Sequence, residues 1–274
     1  MKKENPAPQW ADAIEGWLAS LTAAGYSPNT LNTRRCQLSA LSRALGGSPL
    51  DVEGDDLIAH FASRAWKPET RKGAKNACVS FFRWLKHSGR ADADPSEFLP
   101  TVRRPEPHPR PCPDSVILTA MAKAGVGERL MLRLGAECGL RRFEIAKAHS
   151  GDVVRDLLGW SLAVVGKGDR QRLVPLDDDL AALVIAKGDW LFPGRWSGHV
   201  EASYVGRRLS DLLGGGWTAH SLRHRYATVT YAATHDLLLV SKLLGHASVE
   251  TTQRYVAMPD DRLRVAVDAV RLAT

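Results

Sequence analysis

Four short segments in the second half of the chain carry residue types suited to breaking a phosphodiester bond. They lie at 139–144, 166–168, 220–224 and 243–255. Taken singly, each has an ordinary structural interpretation: an ion pair at a helix start, an exposed hairpin turn, two polar residues on one helix face, and a histidine or tyrosine in a core. Taken together, they supply the following set: Arg141, Lys167, His220, Arg223, His246 and Tyr255.

These side chains suit cleavage of a phosphodiester through a covalent intermediate. Tyrosine can be the nucleophile. Arginine stays charged, and its planar fork can hold the non-bridging oxygens, where negative charge grows in the transition state. A lysine or histidine can give a proton to the leaving oxygen. The sequence shows no cluster of metal ligands, so we expect neither a metal nor another cofactor, and a two-metal nuclease is disfavoured. The spacing around Lys167 fits neither a P-loop nor a dinucleotide-binding glycine motif.

The first hundred residues predict four helices. Apolar residues at helical spacing begin at Trp10, and Ser27-Pro28 has the pattern of a helix cap before a second run. A short third helix follows near Leu57, and Pro68 opens a fourth that ends near Gly89. Glu69 is the only acid on this fourth helix. Its basic residues are therefore either a solvated face or a surface that contacts phosphates; the candidates are Arg71, Lys72 and Lys75.

A proline-rich segment separates this helical region from the remainder of the chain. Residues 100–113 hold six prolines, which rule out a helix and disfavour a central strand. We therefore predict an extended linker between two domains. Arg103 and Arg104 make the segment basic, as expected if it crosses a DNA backbone. The first domain is then 1–99, the linker is 100–113, and the second domain is 114–274.

The second domain predicts a mixture of helices and short strands. Helical patterns cover 116–124, 129–137 and 142–148, and Gly139 fits a helix stop. Strand-like runs follow at 152–154, 162–165 and 172–175, and the last two flank a glycine-rich turn, which predicts a hairpin. The rest is helical. The predicted fold class is mainly α, with α+β character: an N-terminal four-helix domain and a mostly helical C-terminal domain with a small antiparallel sheet.

The bulk composition narrows the cellular setting. The formal charge of +7 and the pI of about 9.4 favour a polyanionic partner, although composition alone is weak support. No apolar run reaches the length of a signal peptide core or a membrane span, so we expect a cytoplasmic protein without a membrane partner. The four cysteines are far apart and lack zinc spacing, which predicts free thiols.

The chemical segments also resemble a known family. The block 220–256 contains HSLRHRYAT and LVSKLLGHASVETTQRYV, and it resembles the H-x-x-R-H, L-G-H and tyrosine pattern of the tyrosine recombinases, the family of phage integrases and XerC/XerD. CGLRRFEIAKA resembles the region of that family's first arginine, and VVGKGDRQRLVPL its hairpin lysine region. The likeness covers nearly the whole chain, and GYSPNT near the N-terminus fits the family's core-binding domain.

The resemblance implies a role for each matched residue. Arg141 and Arg223 would clamp the phosphate, Lys167 would be the general acid, and Tyr255 would attack the phosphate and leave a 3′-phosphotyrosyl link. His220 and His246 would hold the phosphate and assist proton transfer. The supporting positions are Glu144, at the family's acidic position, and His224, with a structural role.

The resemblance also implies partners. It predicts a homo-tetramer on double-stranded DNA sites that exchanges strands through a Holliday junction, with the tail 256–274 docked on a neighbouring subunit and an accessory DNA-bending or directionality factor as a further partner. We expect integration and excision of phage or mobile-element DNA, and the divergent linker and C-terminus favour this role. A Xer-like resolvase of chromosome or plasmid dimers is the alternative. A type IB topoisomerase and a non-catalytic DNA-binding regulator fit less well.

Overall fold

A computed structural model describes residues 5–103, 108–166, 170–196, 198–245, 252 and 256. The chain divides into two compact units, Met1–Glu106 and Pro107–Thr274. The division falls inside the segment expected to be a linker. None of the helices in the described ranges is long and apolar enough to cross a membrane.

Unit 1 is a group of four α-helices closed by a 3-10 turn at Pro95–Phe98. The helices are α1 (Pro8–Ala23), α2 (Pro28–Leu45), α3 (Gly54–Ala62) and α4 (Pro68–His87). The hydroxyl of Ser27 accepts a hydrogen bond from the amide of Thr30, so the predicted cap of α2 is confirmed. The helices pack on an aromatic core in which Trp10 stacks on Phe81 at 5.7 Å between ring centroids.

Both ends of the predicted linker pack against the units. Leu99, just before it, lies in the core of unit 1, and the carbonyl of Pro100 accepts a hydrogen bond from Lys75. At the other end, Cys112 is buried in unit 2, and its amide donates to the carbonyl of Ser221 at 3.0 Å. The proline content predicts a segment without regular secondary structure. It does not predict the tertiary contacts that the two ends of this segment make.

Unit 2 is mostly helical and carries one small sheet. Its helices are α5 (Asp114–Lys123), α6 (Val126–Ala136), α7 (Arg142–Ala146), α8 (Asp178–Ile185), α9 (Ala202–Leu213), α10 (Ala219–Thr234) and α11 (Leu237–Leu244). Its strands are β1 (Val153–Arg155), β2 (Trp160–Val165) and β3 (Gln171–Leu176). The sheet order is β1-β2-β3, and both pairs are antiparallel. The predicted mainly helical fold with a small antiparallel sheet is confirmed, as are the free cysteines.

Two buried regions organise unit 2 around the candidate site. The larger core joins α6, the sheet, α8 and α9, with Leu132, Val174 and Leu209 fully buried. A smaller cluster holds α10 against α11 through Ala227, Val240 and Leu244, and it includes Val256. Arg223, one of the residues with candidate chemistry, lies on α10, which packs against both α6 and α11.

Candidate active site

A left-handed turn places Arg141 at the start of α7. The preceding helix ends at Ala136, and Gly139 has φ of +63°, a conformation that glycine adopts without steric cost. Arg141 then occupies the cap position, and Glu144 accepts its backbone amide at 2.8 Å. The same carboxylate accepts a hydrogen bond from Nη1 of Arg141 at 2.9 Å. The predicted helix-start ion pair is therefore present, and it orients a guanidinium whose side chain remains 27% exposed.

Glu144 lies at the centre of a cluster of three arginines. Its side chain is fully buried, and both carboxylate oxygens receive hydrogen bonds from Arg172, at 2.9 and 2.8 Å. Nη1 of Arg223 lies 3.9 Å from Oε2. Burial by itself raises the pKa of Glu144, but the hydrogen bonds and charge of Arg172, with the Arg141 amide and Arg223, hold that pKa below its ordinary value. The carboxylate is thus a fixed negative charge.

Arg223 is a buried cation held by backbone oxygens. Its side chain is 1% exposed on α10. Nη1 donates to the carbonyl of Gly139 and Nη2 to the carbonyl of Leu244, each at 2.5 Å. The guanidinium therefore connects the turn before α7 to the end of α11, and its position is fixed before any substrate binds.

His220 begins the same helix, with Thr218 as its cap. Its ring meets the ring of His224 edge to face, 4.6 Å between centroids. His220 is open to solvent on one side. Burial of its other side, together with the neighbouring His224, Arg223 and Arg141, lowers its pKa to about 4. The ring is neutral near pH 7 and can donate or accept a hydrogen bond there.

These groups line one cleft of about 570 Å³. Its wall includes three of the six residues with predicted chemical roles: Arg141, His220 and Arg223. The other three, Lys167, His246 and Tyr255, lie outside the described residues. Arg142 and Arg207 also line the cleft and were missed by sequence reasoning. Arg142 adjoins a predicted residue, but Arg207 stands on α9 without a local motif.

Arg172 was also missed, although a sequence signal for it exists. Alternation along β3 places Arg172 on the same side as fully buried Val174, while Gln171 and Leu173 are exposed. An arginine on the inward side of a strand needs a buried partner. Here that partner is Glu144, 28 positions earlier in the sequence.

The basic residues predicted to contact DNA from unit 1 have different surroundings. Arg71 donates to the carbonyls of Phe61 and of Arg64, the latter at 2.5 Å. Lys75 donates to the carbonyls of Leu99 and Pro100. Both side chains therefore tie α4 to neighbouring backbone. Lys72 is half-buried and Arg103 is exposed, whereas Arg104 lies outside the described residues.

The family model, the relatives and the solved structures that this chain resembles are those of integrases and tyrosine recombinases. Residues 115–262 match the model of the phage integrase family. The chain is 30% identical to tyrosine recombinase XerC of Rhodospirillum centenum, over 93% of this chain and 85% of the relative. It is 29% identical to tyrosine recombinase XerD of Proteus mirabilis, over 94% and 90% of the two chains. Among solved structures, a lambda integrase tetramer bound to a Holliday junction has a TM-score of 0.69 at 18% identity, covering 86% of this chain and 77% of that one. This last likeness is one of fold.

Proposed function

The chain belongs to the phage integrase family of tyrosine recombinases, enzymes that break and rejoin DNA, and we propose that it is a Xer-type site-specific recombinase. The observation that carries the catalytic part of this proposal is the convergence of Arg141, His220 and Arg223 on one cleft. A phosphodiester in that cleft meets two guanidinium groups that are already oriented by buried partners.

The charge of the cluster suits a phosphoryl transition state. Arg141, Arg172 and Arg223 surround a single carboxylate, so the net charge is +2 (3 − 1). Negative charge grows on the non-bridging oxygens during attack, and preorganised cations stabilise it more than they stabilise the ground state. Arg141 and Arg223 contact those oxygens, and neutral His220 adds a hydrogen bond.

The remaining roles are assigned from the sequence motifs. The phenolic oxygen of Tyr255 attacks phosphorus while one of the two neutral histidines of the site takes up the phenolic proton. The bond to the 5′-oxygen breaks, and Lys167 supplies the proton that this leaving oxygen takes up. His246 assists at the phosphate. The product is a 3′-phosphotyrosyl bond, and attack by a second 5′-hydroxyl reverses the step and rejoins the strand without ATP. Val256, the residue after Tyr255, is buried in the cluster between α10 and α11, which supports action of the tyrosine within its own subunit.

The comparisons favour resolution of chromosome or plasmid dimers over integration of mobile DNA. The two curated relatives described above are named XerC and XerD, and each is matched over at least 85% of its length. The expectation of a phage or mobile-element integrase rested on the divergent linker and C-terminus, which are weaker grounds than likeness along the whole chain. Integration therefore becomes the second candidate.

The assembly proposal follows from the same relationship. Unit 1 binds the recombination core site, unit 2 performs the chemistry, and residues between them cross the duplex. Four subunits act on two sites, as in the tetramer of lambda integrase on a Holliday junction. The tail beyond Val256 docks on the neighbouring subunit. The reaction takes place on the chromosome in the cytoplasm, and an accessory factor sets the direction of strand exchange.

Covalent capture of genomic DNA tests this proposal. Sheared and nicked DNA from the source organism is incubated with the protein without Mg²⁺ or ATP, and the DNA that remains attached under denaturing conditions is sequenced. Enrichment of one chromosomal site outside mobile elements supports a resolvase. Enrichment at the ends of an integrated element supports the integrase alternative, and tight binding without any covalent product contradicts recombinase chemistry.

A further inference from the structure

Arg172 on β3 makes hydrogen bonds both to Glu144 and to the end of α11. Nη1 donates to Oε1 at 2.9 Å and Nη2 to Oε2 at 2.8 Å, so the fork and the carboxylate are paired in two places. Nε donates to the carbonyl of Leu243 at 2.9 Å. The side chain is 9% exposed, and it does not line the cleft. Arg172 therefore has its donors directed at protein groups.

The pairing decides how much charge the cleft arginines can offer to a phosphate. A buried carboxylate attracts any cation near it, and Arg141 and Arg223 lie 2.9 and 3.9 Å from Glu144. Because Arg172 supplies one donor to each oxygen, the charge of Glu144 is balanced by a group outside the cleft. The two cleft guanidiniums then keep positive charge for the substrate.

The third hydrogen bond extends this connection to α11. Arg172 holds the carbonyl of Leu243, and Arg223 holds the carbonyl of the next residue, Leu244. At Gly245 the chain passes so close to Arg172 that an added Cβ would lie 2.9 Å from its Cδ. The end of α11 is therefore fixed by the same side chain that pairs with Glu144.

We propose that Arg172 is a positioning residue that balances the charge of Glu144, so that Arg141 and Arg223 keep positive charge for the phosphate, and that joins β3 to the end of α11. This inference rests on the proposed function. Arg172 acts through other residues and makes no contact with the substrate. Its loss leaves Glu144 to compete with the phosphate for the two guanidiniums, which slows the chemical step more than it weakens DNA binding.

Single-turnover cleavage of a nicked target duplex tests the proposal. Arg172→Met should lower the rate at saturating protein by about 10- to 100-fold, while half-saturation changes by no more than about 3-fold, since only the transition state loses stabilisation. Arg172→Lys keeps the charge but not the fork, so an intermediate rate is expected. The matched control is Arg133→Met, which removes an arginine paired with Glu137 and Asp177 away from the cleft. It should lower the melting temperature yet cleave within about 2-fold of the unchanged protein.

A neutral substrate separates positioning from general damage. With a methylphosphonate at the cleaved position, one charged oxygen is absent and the clamp matters less. The defects of Arg172→Met and Arg141→Ala should then both shrink toward a few-fold. A full Arg172→Met defect on the neutral substrate, or none on the ordinary one, overturns the inference. If the unchanged protein itself forms no covalent product, the failure belongs to the proposed function instead.

Discussion

Gly139→Ala should damage both the stability of unit 2 and its catalytic geometry. Gly139 has φ of +63°, and a Cβ there would lie 2.5 Å from Cδ1 of Tyr226. The left-handed conformation costs an alanine about 1–2 kcal/mol, and relief of an overpacked contact costs about 1–3 kcal/mol. The free energy of unfolding should therefore fall by about 2–5 kcal/mol. Because the Gly139 carbonyl holds Arg223, the backbone shift should also slow cleavage about 10-fold or more in protein that remains folded.

Urea unfolding and single-turnover cleavage measure the two effects. Gly188→Ala is the matched control, since Gly188 also lies in unit 2, has φ of +69° and has no atom within 4 Å of an added Cβ. It should lose only the conformational part, about 1–2 kcal/mol, and cleave normally. On a Tyr226→Ala background, Gly139→Ala should cost no more than this control. Equal losses for Gly139→Ala and Gly188→Ala in the unmodified background would refute the argument that Tyr226 and Arg223 constrain this turn.

Three further predictions concern titration and unit 1. Since the pKa of His220 is lowered to about 4, its ring should remain neutral in NMR titrations down to about pH 5. A bound phosphate should raise that pKa. Titration of His220 near pH 6.5 without phosphate would contradict this prediction. Folding lowers the pKa of Glu144, so its ionisation stabilises the protein above the unfolded-state pKa, and this stabilisation is lost as pH falls through the folded-state value. The difference in unfolding free energy between the unchanged protein and Glu144→Gln should therefore shrink as the pH falls from above the ordinary glutamate pKa of 4.5 through the lowered folded-state pKa. Lys75→Met should lower the free energy of unfolding by about 1–2 kcal/mol because it removes the donor to two carbonyls. Lys72→Met should leave that free energy nearly unchanged and lower the salt dependence of DNA binding by about one counterion. The reverse pattern would show that Lys75 is the phosphate contact.

Local sequence signals predicted the elements of the fold well. Ser27-Pro28 correctly predicted the start of α2, because a cap residue and a proline affect the backbone only within a few residues of themselves. The hairpin was predicted from its glycine-rich turn, but β2 begins at Trp160, two residues before the expected strand. Ser161 interrupts the apolar run there, yet it is buried in the strand because its hydroxyl donates to Asp156 at 2.8 Å. The spacing of hydrophobic residues does not predict the burial of a polar residue that has a specific hydrogen-bond partner.

The candidate site was predictable where motifs are local. Arg141 and Glu144 lie three positions apart, as do His220 and Arg223, and each pair shares a single helix start. Arg172 contributes through contacts with Glu144 and Leu243, which are 28 and 71 positions away. Arg71 shows the same limit, because its basic helix suggested phosphate contact while its guanidinium donates to the end of α3. Partners set by tertiary packing have no signature in sequence spacing.

Covalent trapping on a nicked duplex carrying the captured site is the most direct test of the catalytic account. Without metal or ATP, the unchanged protein should give a protein–DNA adduct on a denaturing gel. Tyr255→Phe should give none while retaining DNA binding, and Arg223→Ala should form the adduct about 10²-fold more slowly. An adduct formed by Tyr255→Phe, or one that appears only with Mg²⁺, would contradict the account.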